Sequence, residues 1–281
     1  MKVGARRKKS GGRRLALSPR SVTRTPHLGL VRAPRVPSDP GAMGRQVSVA
    51  TYNVHRWTGI NGRSRPDPSR AGVVISELRA DVIALQEVLR PFQGEDPLEA
   101  IADALGLHVA FASTRLHRRG ELGNAILSRW PMAGVAVVDL SLSRMERRLA
   151  MAAQFPFEGG LLDVVATHLA LGDRTRHRQV RLLLEHPHFQ DGPTLLLGDM
   201  NAWRQCRATR VLEDEMHHNL AWPASFPSTR PVLALDRIYS RGVDVVEIGT
   251  HKSAAARTAS DHLPVVARIE LPKEWPVPEV R

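Results

Sequence analysis

Polar residues stand at the ends of the chain's apolar runs, where packing alone would not call for them. "VSVATYNVH" runs out at Asn53, "DVIALQEV" at Glu87, "LDVVATHLA" at His168, and "TLLLGDMN" at Asp199 and Asn201. "LALDRIYS" holds Asp236, and "ASDHLPVVARIEL" starts from Asp261 and His262. In α/β proteins, groups that bind and react collect at strand ends, because the sheet fixes them while the loops leave an opening. Carboxylates and amides without a thiolate cluster suit a hard, oxygen-preferring cation, and magnesium takes one or two protein carboxylates plus water and substrate phosphate. Histidines beside such carboxylates add an imidazole that activates water, held in its tautomer by an acid, and a second that steadies phosphoryl oxygens. Together they predict hydrolysis of a phosphate ester. Taken singly, each residue has a plainer reading: Asn53 as a turn former, His168 as a structural imidazole, Asp199 with Asn201 as a cap, Glu87 as a surface residue. Their joint occurrence favours one converging site.

In order and spacing these segments resemble the motifs of the endonuclease/exonuclease/phosphatase superfamily, which includes deoxyribonuclease I, the neutral sphingomyelinases and the inositol polyphosphate 5-phosphatases. The resemblance spans about residues 47 to 271, and "GDMN" and "SDHLP" are its most specific stretches. It implies a deoxyribonuclease I-like fold, a four-layer α/β/β/α sandwich of two packed mixed sheets with the site at one end. Position by position, it implies Glu87 as a direct metal ligand, with Asn53 beside it for the metal's water or for phosphate. Asp199 would orient the attacking water or a second metal, and Asn201 would donate to a phosphate oxygen. His262 would be the base with Asp236 as its orienting carboxylate, Asp261 a further metal or water contact, and His168 a donor to the phosphoryl oxygens. Some members assign the base to the aspartate, which leaves Asp199 as the alternative. The implied cofactor is Mg2+, with Mn2+ as a substitute.

Weaker candidates surround this set. Asn124, after Gly123 in "GNAILS", could meet phosphate or His168, and Ser225 in "ASFPSTRP" precedes Asp236 where relatives place a Thr, its hydroxyl a candidate contact to substrate and the metal-side network. Arg56, Trp57 and Trp203 follow site motifs and could shape the rim, although Trp at a loop base is often packing. Arg174, Arg176, His177 and Arg178 open a helical pattern beyond His168, where a solvated face is the commoner outcome. Cys206 is assigned no role.

The elements that must position these residues are legible as short apolar runs bounded by turns. Strands are predicted over Val47 to Tyr52, Val82 to Leu85, Ala125 to Leu127, Ala133 to Leu140, Arg148 to Phe155, Leu161 to Ala166, Thr194 to Leu197, Arg237 to Tyr239 and Pro264 to Ile269. Helices are predicted over Ser69 to Leu78, Pro97 to Leu105 and Asp173 to Glu185. Strands and helices mix without strict alternation, so two sheets flanked by helices are expected over 46–273, followed by a short tail at 274–281.

The net charge of +12 on 281 residues suggests nucleic acid or a membrane surface, yet most of it is local. Residues 1–45 hold 12 Lys and Arg against Asp39, and the rest of the chain holds 28 basic and 27 acidic residues. That first segment, rich in Arg, Pro, Gly and Ser, is expected to be disordered: an electrostatic anchor for acidic lipid or nucleic acid, or, with Met43 as the true start, not translated. Cys206 alone excludes an intramolecular disulfide, and no run is long enough to span a membrane. The expected protein is a cytoplasmic monomer, able to sit peripherally at a membrane. "THL" at His168 departs from the abasic-site endonucleases, and "AWRQCRATR" departs from the inositol phosphatases. What remains resembles short bacterial members acting on phosphodiesters. Three readings stay open: a phosphodiesterase on a lipid-derived or small phosphodiester, a nuclease on DNA or RNA, and a non-catalytic binding protein retaining the fold.

Overall fold

The computed structural model describes residues 26–36, 39–143, 146–186, 189, 192–216 and 220–275. Two sheets face each other. The first has seven strands in the order β1 (His27–Arg32), β4 (His108–His117), β5 (Gly120–Ser128), β3 (Val82–Pro91), β2 (Gln46–Asn53), β12 (Val265–Glu270), β11 (Asp244–Thr250). The second has five, in the order β10 (Asp236–Arg241), β9 (Thr194–Asp199), β8 (Gly160–His168), β7 (Leu149–Phe157), β6 (Gly134–Asp139). Both are mixed, each with one parallel pair, β2 with β3 and β8 with β9.

Alternation along the strands explains the layers, since successive side chains leave opposite faces. Val47, Val49, Val82 and Ile126 meet Met151, Phe155, Val164 and Leu197 between the sheets. The other parity faces helices. Tyr52, Ile83, Leu85 and Phe111 pack under α1 (Pro68–Leu78) and α2 (Pro97–Leu105). Ala152, Val165, Leu196 and Tyr239 pack under α3 (Asp173–Leu184) and α4 (Arg207–Glu215). A short α5 (Ala256–Ala259) precedes Asp261. The result is the expected four-layer sandwich of helices, two mixed sheets and helices. A parallel pair needs a crossover, and the helical patterns after Asn53 and His168 provide it as α1 and α3. Both crossovers therefore leave from strands that end in site candidates.

The structure corrects the expectation of disorder for 1–45 over its described part. β1 pairs antiparallel with β4, and its last residue, Arg32, reaches Glu99 at 2.7 Å and Asp103 at 2.8 Å on α2. Arg35 joins Asp103 at 3.0 Å, and Met43 is buried between the sheets. The basic composition that suggests an unfolded segment is matched here by acids on a neighbouring helix. Residues 1–25 and 276–281 lie outside the described residues, so the two tail expectations there have no structural counterpart. Five elements go beyond those expected from the sequence: β1, β4, β11, α4 and α5.

Candidate active site

The second sheet builds one wall of the site by register. His168 is paired with Asp199 across the parallel β8–β9 ladder, and Asp199 with Asp236 across the antiparallel β9–β10 ladder. Three polar side chains thus stand side by side at strand spacing, under 5 Å apart in the hydrogen-bonding direction. Gly198 makes this closeness possible, since a Cβ there would lie 1.9 Å from the Thr167 carbonyl oxygen. His168 Nε2 is 3.5 Å from Asp199 Oδ2.

The first sheet brings Asn53 and His262 to the same point. Asn53, last in β2, donates from Nδ2 to Asp199 Oδ2 at 3.2 Å, while its Oδ1 accepts the His55 N–H at 3.0 Å. His262 Nδ1 donates to Asp236 Oδ2 at 2.7 Å, so its Nε2 faces Asp199 Oδ2 at 3.7 Å. Ser225 Oγ donates to the same Asp236 oxygen at 2.6 Å, and the Phe226 ring lies against His262, centroids 4.9 Å apart. Ser260 Oγ donates to the Asn53 carbonyl at 2.7 Å, which ties the loop of Asp261 and His262 to the end of β2.

Charges in this buried wall are strongly interdependent. Burial by itself would lower the His262 pKa, but Asp236 and Asp199 overcome it and raise it well above the ordinary histidine value. Burial raises the Asp199 carboxyl above its usual range, an effect His262 opposes and Asp236 reinforces. His168 is pushed well below 6.5 by burial and then by Arg148, His262 and Arg115, so it is neutral at physiological pH.

The opposite wall is built from β3, β5 and the start of β7. Glu87 lies inside β3, at a bulge where pairing with β5 slips between Leu85 and Val88, with φ of 53°. A left-handed glutamate costs about 1 kcal/mol or more and persists only where surrounding structure dictates it. The bulge turns Glu87 into a cleft shared with Asn124, Arg148 and His168. Arg56 Nε approaches its carboxylate at 3.4 Å. Asn124 follows Gly123, where a Cβ would lie 1.9 Å from the Ala112 carbonyl, so this glycine serves close strand approach as Gly198 does. Asp261 is partly exposed and sits 3.0 Å from His55 Nδ1.

All eight core candidates therefore gather at one end of the sandwich, but with different surroundings. Asn201 adopts a left-handed backbone, takes Asp199 Oδ1 on its N–H at 2.9 Å, and donates its amide to Leu169 O at 2.8 Å, which binds the two loops together. Ser225 is fully buried behind Asp236 rather than facing the opening. Trp57 is core, its Nε1 donating to Leu89 O at 2.8 Å, while Trp203 is 54% exposed. Arg176 is not on a solvated face: it is buried, and Nη1 donates to Ala170 O, Leu171 O and Asn201 O at 3.0, 3.1 and 2.7 Å. Arg148 was missed, because "RR" before a strand reads as an ordinary surface pair.

A divalent cation fits these residues. Asp199, Asp236 and His262 each offer a donor atom within 4.8 Å of the others, and Asp236 Oδ1 is buried without a hydrogen-bond partner. Buried carboxylate oxygens left unpaired are the chemistry such an ion satisfies. Glu87 and Asp261 stand outside that tight group, each facing a cationic or histidine neighbour instead.

Comparison with known proteins agrees with this geometry. The model of the "Endonuclease/Exonuclease/phosphatase family" matches residues 50–262. The chain is 30% identical over 244 residues to the uncharacterized protein YbhP of Escherichia coli K12, covering 79% of this chain and 96% of that protein. Among solved structures, an endonuclease/exonuclease/phosphatase from Beutenbergia cavernae is similar with a TM-score of 0.66 and 23% identity, covering 81% of this chain and 72% of that one. The human Nocturnin catalytic domain with bound sulfate has a TM-score of 0.64 at 17% identity, over 83% and 97%. TDP2 of D. rerio, complexed with single strand DNA product, has 0.61 at 19%, over 80% and 99%. At these identities the structures speak for the fold.

Proposed function

The chain belongs to the endonuclease/exonuclease/phosphatase family of metal-dependent phosphoester hydrolases, and from that premise we propose that it is a magnesium-dependent phosphodiesterase acting on a lipid-derived or small phosphodiester. The observation that carries this reading is the Asp236–His262 pair at 2.7 Å, with the free imidazole nitrogen turned to Asp199. Asp199 belongs both to that close donor group and to the ligand set that the resemblance implies; with Glu87, Asn53 and Asp261 it would hold the magnesium ion, which when bound supplies positive charge that polarises the phosphoryl group and acidifies water.

The protein's own residues do the rest. Asp236 fixes the His262 tautomer, so Nε2 is the atom that gives or takes the proton. In its resting, protonated form His262 is an acid, and once that proton has left it is the base toward the attacking water. Asp199 is the alternative base, its raised pKa suiting it to hold a proton. Neutral His168 presents an N–H to phosphoryl oxygens as negative charge gathers there. All eight polar residues are retained, which speaks against a non-catalytic binding protein. A near-neutral folded body, 28 basic against 27 acidic residues beyond position 45, supports a small or lipid-derived substrate over a long polyanion.

The test is turnover of bis-p-nitrophenyl phosphate in magnesium, abolished by chelator and by Asp199→Ala. A protein that leaves this ester and a broad panel of phosphodiesters intact with magnesium or manganese would sink the reading. A nuclease is the second reading, favoured by exposed Arg115 on β4, which lines the cleft of Glu87 and His168. It predicts cleavage of DNA or RNA that falls steeply with salt. A chain beginning at Pro26 that retains all of that cleavage would remove the basic N-terminal segment from the account.

A further inference from the structure

We propose that the Glu87 side of the mouth carries a second anion subsite, formed by Arg148, Asn124 and Arg115, so that the substrate bears another phosphate group beside the one attacked. This deepens the phosphodiesterase reading and rests on it.

The subsite is suggested first by buried donor atoms without a hydrogen-bond partner among the described residues. Asn124 is 3% exposed and lines the cleft, yet its Nδ2 has no hydrogen-bond partner. Arg148 is half-buried beside it; its Nε is buried and unpartnered, and Nη2 reaches only Glu146 at 3.2 Å. Leaving such donors unmet is costly, more so for a charged group, so a ligand that accepts from them is strongly favoured.

Charge points the same way. Arg115 is exposed at the rim of this cleft, and Arg115, Arg118 and Arg119 form no ion pair among the described residues. Burial lowers the pKa of His117 on the same hairpin, and Arg56, Arg115, Arg118 and Arg119 lower it further. The near balance of charge beyond position 45 thus conceals a cluster of arginines on this wall, beside the Glu87 carboxylate. The cleft floor has a cavity of about 30 Å³, room for a water rather than a phosphate. A phosphate would therefore seat at the mouth, between exposed Arg115 and the deeper Arg148 and Asn124. Planar guanidinium groups suit that anion, each giving parallel charge-assisted bonds.

Binding in magnesium, measured by calorimetry on the full chain, tests the proposal without requiring turnover. Two pairs of probes differ by one phosphate: thymidine 5′-monophosphate against thymidine 3′,5′-bisphosphate, and glycerophosphoinositol against its 4-phosphate. Wild type should bind the extra-phosphate member about tenfold more tightly in at least one pair, as expected for one charge-assisted contact at a partly exposed site. A preference in one pair names the source of the anion, and a preference in both names the shared chemistry. Arg115→Ala, an exposed position that should not affect folding, should reduce that preference severalfold, and Arg148→Gln should abolish it. Equal affinity within both pairs, or a preference that survives both substitutions, overturns the subsite. Loss of bis-p-nitrophenyl phosphate turnover in wild type, with the binding preference intact, would instead count against the hydrolase reading alone.

Discussion

The two walls of the site are built on opposite principles. On the β8–β9–β10 side, Asp199, Asp236, Asn201 and His262 are each held by partners within the protein, from Asn53 to Ser225, and Asp236 Oδ1 is left over for a cation. On the β3–β5 side, Asn124 Nδ2 and Arg148 Nε are buried without partners, and Glu87 sits in a strained backbone. The first wall is preorganised, with its geometry set before any substrate arrives, as proton transfer requires. The second is left incomplete, with donors and strain that a ligand would relieve. A closed network should lose rate when broken, whereas an incomplete one should lose binding and gain stability.

The largest expected effect comes from the closed wall. His262→Ala should lower kcat for bis-p-nitrophenyl phosphate by about 10²–10⁴, the range for a positioned acid or base, with KM changed far less. A drop of only a few-fold would show that Asp199 is the base and that His262 merely steadies it. Next is Glu87→Gly on the open wall. Activity should fall on the order of a hundredfold through lost metal affinity, recoverable in part at high magnesium. Thermal stability should hold or rise, because glycine accepts the left-handed backbone without strain. A Tm lowered by several degrees would mean that Glu87 is a structural residue, and the contrast between the walls would fail there.

Asn124→Leu should separate the two quantities again, at smaller scale. Removing a buried amide without a partner should raise unfolding stability by about 1 kcal/mol in chemical denaturation, while substrate affinity falls about tenfold. Destabilisation would imply that Nδ2 is satisfied in solution and has nothing to offer a ligand.

The strand ends were readable because each is an apolar run closed by one polar residue, and nine strand segments and three helices follow from that pattern. Glu87 was found but its bulge was not, since the slip against β5 depends on pairing between segments some 35 residues apart, which no local pattern records. β1 was hidden by composition: a basic, Pro-rich stretch reads as unfolded until Glu99 and Asp103 are seen across from Arg32. α4, "RATRVLEDE", is too polar to stand out, with Ala208, Thr209 and Leu212 alone buried. Arg148 and Arg176 look alike in sequence, yet one lines the cleft and the other holds three backbone carbonyls. Nothing in spacing distinguishes a long cation that enters a site from one that braces it.

The smallest effect, and the finest test of the closed wall, is Ser225→Ala. Ser225 Oγ donates to Asp236 Oδ2 at 2.6 Å, the same oxygen that takes the His262 proton at 2.7 Å. Removing the hydroxyl deletes one of two hydrogen bonds on that oxygen and leaves a void of a single atom, so stability should fall by about 1 kcal/mol. Asp236 would then be free to rotate, and its other oxygen, which lacks a partner, would compete for the imidazole. The tautomer would survive while the orientation loosens, so kcat should drop a few-fold with KM unchanged, and Ser225→Thr should restore it. If Ser225 instead touched substrate, KM would rise in the alanine variant. A KM effect without a kcat effect would place its hydroxyl in the opening and undo the view of this wall as held from within.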